Sequence, residues 1–125
     1  MTHHSTQKMA ALAQFKVLDE LRQVLLQTAE DYRDTGLSVD TKESRISLQV
    51  ETNISNYREA IIKILLETAE EYAEIGLQVD PKKGIIDYGD YRLKLEVSNN
   101  QIDLKITQFI ETKFPIRPSL IRRTD

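Results

Sequence analysis

The sequence predicts an α+β fold in two layers, with long helices packed on one face of a mostly antiparallel sheet, in the order α-β-β-α-β-β-β-β. Three observations predict it. A segment is written twice: Leu25 to Lys42 reads LLQTAEDYRDTGLSVDTK, and Leu65 to Lys82 reads LLETAEEYAEIGLQVDPK. Each copy changes its apolar period from three-to-four residues to two, the switch from helix to half-buried strand. Turn-forming residues separate the short alternating runs, which favours tight antiparallel connections over long crossovers.

The copies share eleven of eighteen positions and lie 40 residues apart. A second likeness follows, Arg45–Val50 (RISLQV) with Arg92–Val97 (RLKLEV), at an offset of 47. The sequence therefore reads as an internal duplication whose second copy carries a seven-residue insertion near Gly84–Asp90. Two copies are fewer than the roughly three a solenoid needs. The expectation is one domain over residues 1–125, with pseudo-repeat units at about 9–52 and 55–110 and a basic extended tail at 113–125.

The first helix is drawn by Ala11, Phe15, Leu18, Leu21, Leu25, Ala29 and Tyr32, one stripe at steps of three and four. From Lys8 to Thr35 it would run about 42 Å. That is long for a small layer, and its apolar first turns, MAALAQF, suit packing on a second copy of the chain. Tyr57, Ile61, Ile64, Leu65, Ala69 and Tyr72 draw the second helix, with Asn53 or Ser55 as candidate caps. Gly36 and Gly76 are expected to stop the helices, each followed by a leucine suited to close the motif.

Strands follow at Leu37–Asp40 and Ile46–Val50, then around Leu77 and Val79, Leu93 to Val97, and Ile102 to Ile106. DPKKG, YGD and SNNQ supply the turns. The polar face should carry Arg45, Gln49, Glu51, Arg92, Lys94, Glu96, Asp103 and Lys105, arranged as cross-strand ion pairs.

The recurring residues, among them Thr28 and Thr68, Glu30 and Glu70, Tyr32 and Tyr72, Asp40 and Asp80, have structural readings. The tyrosines pack a ring and expose a hydroxyl, the aspartates accept backbone N–H bonds at turns, and Arg45 and Arg92 would meet acids, Glu30 and Glu70 being candidates. A fold-forming contact is needed in both units; an active site needs assembling once.

Chemistry-bearing motifs are sparse. There is no cysteine, and the two histidines, His3 and His4, stand at the N-terminus. A cysteine nucleophile, a thiolate metal site and an interior histidine base are excluded. The carboxylates Glu67, Glu70, Glu71 and Glu74 lack the Glu-x-x-His partners of carboxylate-bridged metal bundles. No catalytic, cofactor or metal-binding residue is expected. The chain shows no apolar run of membrane-spanning length and no secretory signal, so a cytoplasmic location is expected.

The charge is uneven. Residues 1–112 hold 13 basic and 19 acidic side chains, whereas residues 113–125 hold Lys113, Arg117, Arg122 and Arg123 against Asp125. The tail KFPIRPSLIRRTD has two prolines that keep it out of a helix and apolar residues between its charges. Phe114, Arg117, Leu120, Arg122 and Arg123 are the expected contacts with a protein partner. The functional expectation is a non-catalytic interaction or regulatory module, a homodimer that docks a protein partner. Two alternatives are a nucleic-acid-binding accessory protein using the basic tail, and a small-ligand protein or enzyme with a pocket between helices and sheet.

Overall fold

The computed structural model describes residues 3–49 and 53–108, with side chains from Leu12 onward. Helix α1 spans His3–Glu30 and α2 spans Ile54–Glu70. Six strands accompany them in the expected order: β1 Leu37–Asp40, β2 Arg45–Leu48, β3 Gln78–Asp80, β4 Ile85–Tyr88, β5 Tyr91–Ser98 and β6 Gln101–Gln108. They form one fully antiparallel sheet, ordered β1-β2-β6-β5-β4-β3. No helix among the described residues is long and apolar enough to cross a membrane.

The alternation in the sequence sets the two faces. Leu37, Ile46, Leu48, Ile86, Leu93, Leu95, Ile102 and Leu104 are buried beneath the helices. From above, Leu18, Leu21, Leu25, Leu26 and Ala29 of α1 and Ile61, Leu65, Leu66 and Ala69 of α2 close the same core. Burying a side chain of this size contributes about 1.5–3 kcal/mol, so this interface holds the layers together. Arg45, Arg92, Lys94, Glu96, Asp103 and Lys105 lie on the opposite face, half-buried or exposed. Of the two other residues expected there, Gln49 follows the end of β2, and Glu51 lies outside the described residues.

The α-helices end six residues before the glycines. A single 3-10 turn intervenes, Arg33–Thr35 in the first unit and Ala73–Ile75 in the second. Gly36 and Gly76 close those turns at φ 114° and 111°, donating their N–H groups to the carbonyls of Arg33 and Ala73. A β-carbon is strained at such angles, which accounts for glycine at both positions.

The register corrects the sequence-based alignment of the units. Asp40 pairs with Arg45 and Asp80 with Ile85; Arg45 pairs with Asp103 and Ile85 with Lys94. The 40-residue offset thus continues through β2 and β4, and the structural counterpart of Arg45 is Ile85, not Arg92. There is no insertion at Gly84–Asp90; those residues form β4 and its turn. The additional element is the β5–β6 hairpin, which fills the middle of the sheet. Each of its strands completes one unit, β6 beside β2 and β5 beside β4. A pseudo-twofold axis passes between the paired residues Leu95 and Leu104. Backbone bonds obey it: Leu104 N donates to Ser44 O and Leu95 N to Gly84 O, both at 2.9 Å.

Candidate functional site

Two of the recurring pairs make the same side-chain contact in both units. Thr28 and Thr68 donate their hydroxyls one turn back, to the carbonyls of Val24 and Ile64, each at 2.9 Å. Asp40 accepts the N–H groups of Lys42 and Glu43, and Asp80 those of Lys82 and Lys83, at 3.0–3.2 Å. These carboxylates hold hairpin turns, as the sequence indicates.

The arginines differ from expectation. Arg45 donates through Nε to Asp103 at 2.7 Å, and Arg92 through Nε and Nη2 to Asp87 at 2.8 and 3.1 Å. Glu30 pairs instead with Arg33 on its own helix end. The acids that meet the arginines are strand neighbours, because Arg45 and Arg92 lie on the sheet face turned away from the helices. Each guanidinium is held above its ordinary pKa, chiefly by its hydrogen bond to the aspartate. Both pairs are partly solvated and act as cross-strand staples.

The candidate site lies where the units diverge. Tyr57 and Val17 occupy equivalent helix positions. The Tyr57 hydroxyl reaches across to the Thr35 hydroxyl and hydrogen-bonds with it, covering the end of unit one. Val17 stops short of Ile75, the counterpart of Thr35. An apolar cleft of about 190 Å³ results, lined by Val17, Leu21, Val24, Tyr72, Ile75 and Leu77 with Glu20 on its rim. Ile75 is 53% and Tyr72 44% exposed, so the cleft opens directly to solvent. Glu71 and Glu74 flank Tyr72 in sequence and are exposed. A cleft of this kind can take one or two apolar side chains, and the Glu20 carboxylate favours a basic neighbour on whatever enters.

A second, larger groove of about 530 Å³ runs between α2 and the β3–β4 turn, lined by Glu59, Ile62, Lys63, Leu66, Glu67, Glu70, Pro81 and Lys82. Its charges are on the surface, and lysines are mixed with the glutamates. Among the described residues there is no group of three or more histidine, cysteine or acidic side chains placed to hold a metal ion.

The sequence reading picked out the tail rather than the cleft. Phe114, Arg117, Leu120, Arg122 and Arg123 lie outside the described residues. The cleft was missed because it depends on a missing atom group, the ring that Val17 lacks, and on a residue 58 positions away in sequence. Comparing positions 17 with 57 and 35 with 75 at the 40-residue offset carries the signal, since a Tyr–Thr pair faces a Val–Ile pair. No family model, curated protein or solved structure matches the chain.

Proposed function

We propose that this protein is a non-catalytic interaction module, a homodimer that docks a protein partner through its basic C-terminal arm. The observation that carries this reading is that the described fold precedes the arm in sequence. All six strands and the described core lie between Leu18 and Gln108. The apolar residues Phe114, Ile116, Leu120 and Ile121 then alternate with arginines in a segment whose prolines favour an extended chain. Extended arms of this composition bind apolar grooves with acidic edges.

The dimer half of the reading rests on α1. It begins 11 residues before the counterpart of the α2 start, and Leu12, on that overhang, is 67% exposed. A second copy is the occupant that fits, overhang against overhang, because a twofold contact uses the same patch twice.

The test compares the full chain, a chain ending at Thr112 and the Leu12→Glu variant. With circular dichroism unchanged, truncation should abolish salt-sensitive retention of partner proteins, and Leu12→Glu should shift sedimentation from dimer to monomer. Equal retention by both chain lengths refutes the arm's role. A monomeric full chain refutes the dimer.

A further inference from the structure

We infer that the apolar cleft of the second unit is the resting seat of this chain's own C-terminal arm. The inference rests on the reading of the arm as the docking element and adds where that element lies when no partner holds it.

Position is the first argument. The last described strand ends at Gln108, which pairs with Tyr91; Tyr91 pairs with Tyr88. Continuing the β3–β4 register by one step places Leu77, a cleft residue, beside Tyr88. Gln108 and the cleft therefore share one row at the same end of the sheet, three strand spacings or roughly 14 Å apart. The middle of α1 stands over this row, where Phe15 meets the Tyr91 ring edge-on at 5.7 Å. An arm skirting that helix adds about its 10 Å diameter. At ~3.3 Å per residue, Phe114 lies ~20 Å and Leu120 ~40 Å along the extended arm, which brackets the path.

Chemistry is the second argument. The cleft is apolar with Glu20 on its rim. The arm offers apolar side chains spaced by arginines, and it is a net-basic segment on an otherwise acidic chain. Tethering favours the chain's own arm over a second copy's, because a short covalent link gives a millimolar effective concentration. In the first unit Tyr57, hydrogen-bonded to Thr35, stands at the equivalent place. A partner that binds the arm must then displace it from the cleft, so arm release precedes docking.

The chain has no cysteine, which makes disulfide trapping in the full-length protein direct. Ile75→Cys is combined with Thr112→Cys or with Ser119→Cys, positions on either side of Phe114 and Ile116 and, for Ser119, next to Leu120. Thr35→Cys with the same arm positions is the control at the covered unit. At micromolar protein, mild oxidation should close an intrachain disulfide in the Ile75→Cys pairs at least tenfold faster than in the Thr35→Cys pairs, read by mass spectrometry after alkylation. Adding Val17→Tyr, which fills the cleft, should remove that preference, and raising the salt should slow trapping in the Ile75→Cys pairs. Equal trapping at both sites, trapping only between chains, or a preference that survives Val17→Tyr would each overturn the proposal. Arm-dependent partner retention that persists without trapping would leave the interaction reading intact and reject only the seat.

Discussion

The two units of this chain share a register residue for residue and yet do not do the same work. Leu21, Leu25, Leu26 and Ala29 of α1 are buried, as are their counterparts Ile61, Leu65, Leu66 and Ala69 of α2. The helix ends, the glycine caps and the aspartate-held turns also repeat. Divergence is concentrated at the start of each helix and at the sheet end it covers. Leu18 is fully buried, and its counterpart Arg58 instead donates to the carbonyls of Ser98 and Asn99 at 3.3 and 2.9 Å, tying down the β5–β6 turn. On α1, Gln14 accepts the Asp90 N–H at 3.2 Å across the β4–β5 turn. Val97, on the core face of β5, is exposed, whereas its counterpart Ile106 is half-buried, because α2 lacks the turns that precede Gln14 in α1. A duplicated scaffold keeps its central contacts, where both copies meet the same core, and frees its helix starts to specialise.

The most severe way to break the comparison is to exchange residues between twins. Leu18→Arg should abolish cooperative folding or cost more than about 4 kcal/mol, since a guanidinium would enter the core without a partner. The reciprocal Arg58→Leu should cost only about 1 kcal/mol, the loss of its hydrogen bonds to the turn. Urea denaturation of both variants reads the difference. Similar costs would mean that the two helix starts are not specialised.

Truncations at matched central positions sharpen the opposite half of the comparison. Leu25→Ala and Leu65→Ala, both at fully buried sites, should each cost about 2–5 kcal/mol and agree within about 1 kcal/mol. Gly36→Ala and Gly76→Ala should come next, at about 1–3 kcal/mol each from the strained φ. The same denaturation series checks the four variants, and a wide gap within either pair would place the twofold relation in the backbone but not in the energetics.

The fold class, the element order and the helix stripe were legible in the sequence because each rests on local periodicity. Ser44 shows where local reading fails. It sits at φ 53°, the position Gly84 occupies at φ 67°, so a left-handed residue hides behind a serine and the match between β2 and β4 is lost to the eye. The likeness of RISLQV to RLKLEV then suggests an insertion that the register does not contain. Arg22 was hidden for another reason. It adjoins the stripe, yet it donates to Asp19 at 2.6 Å and toward the Leu104 carbonyl at 3.4 Å, leaving Nε buried with no hydrogen-bond partner among the described residues; its counterpart is the apolar Ile62. The cleft was illegible for a third reason, since a void is a property of what two distant positions fail to reach.

The smallest expected effect lies on the pseudo-twofold axis itself, which relates Glu96 to Lys105. Lys94 stands directly opposite Lys105, and Glu96 directly opposite Asp103. Like charges face each other across both pairs, an arrangement that destabilises a sheet. The contact actually formed runs diagonally, Lys105 to Glu96 at 3.1 Å, between side chains that are 59% and 44% exposed. Exchanging the two residues, Glu96→Lys with Lys105→Glu, retains the diagonal pair and turns both facing pairs into opposite charges. Stability should rise by a few tenths of a kcal/mol, and the gain should fade as salt is added. Either substitution alone should lower stability, because it breaks the diagonal and relieves only one facing pair. A double variant less stable than both single ones, at low salt, would show that the axis describes the backbone register and not the charges placed on it.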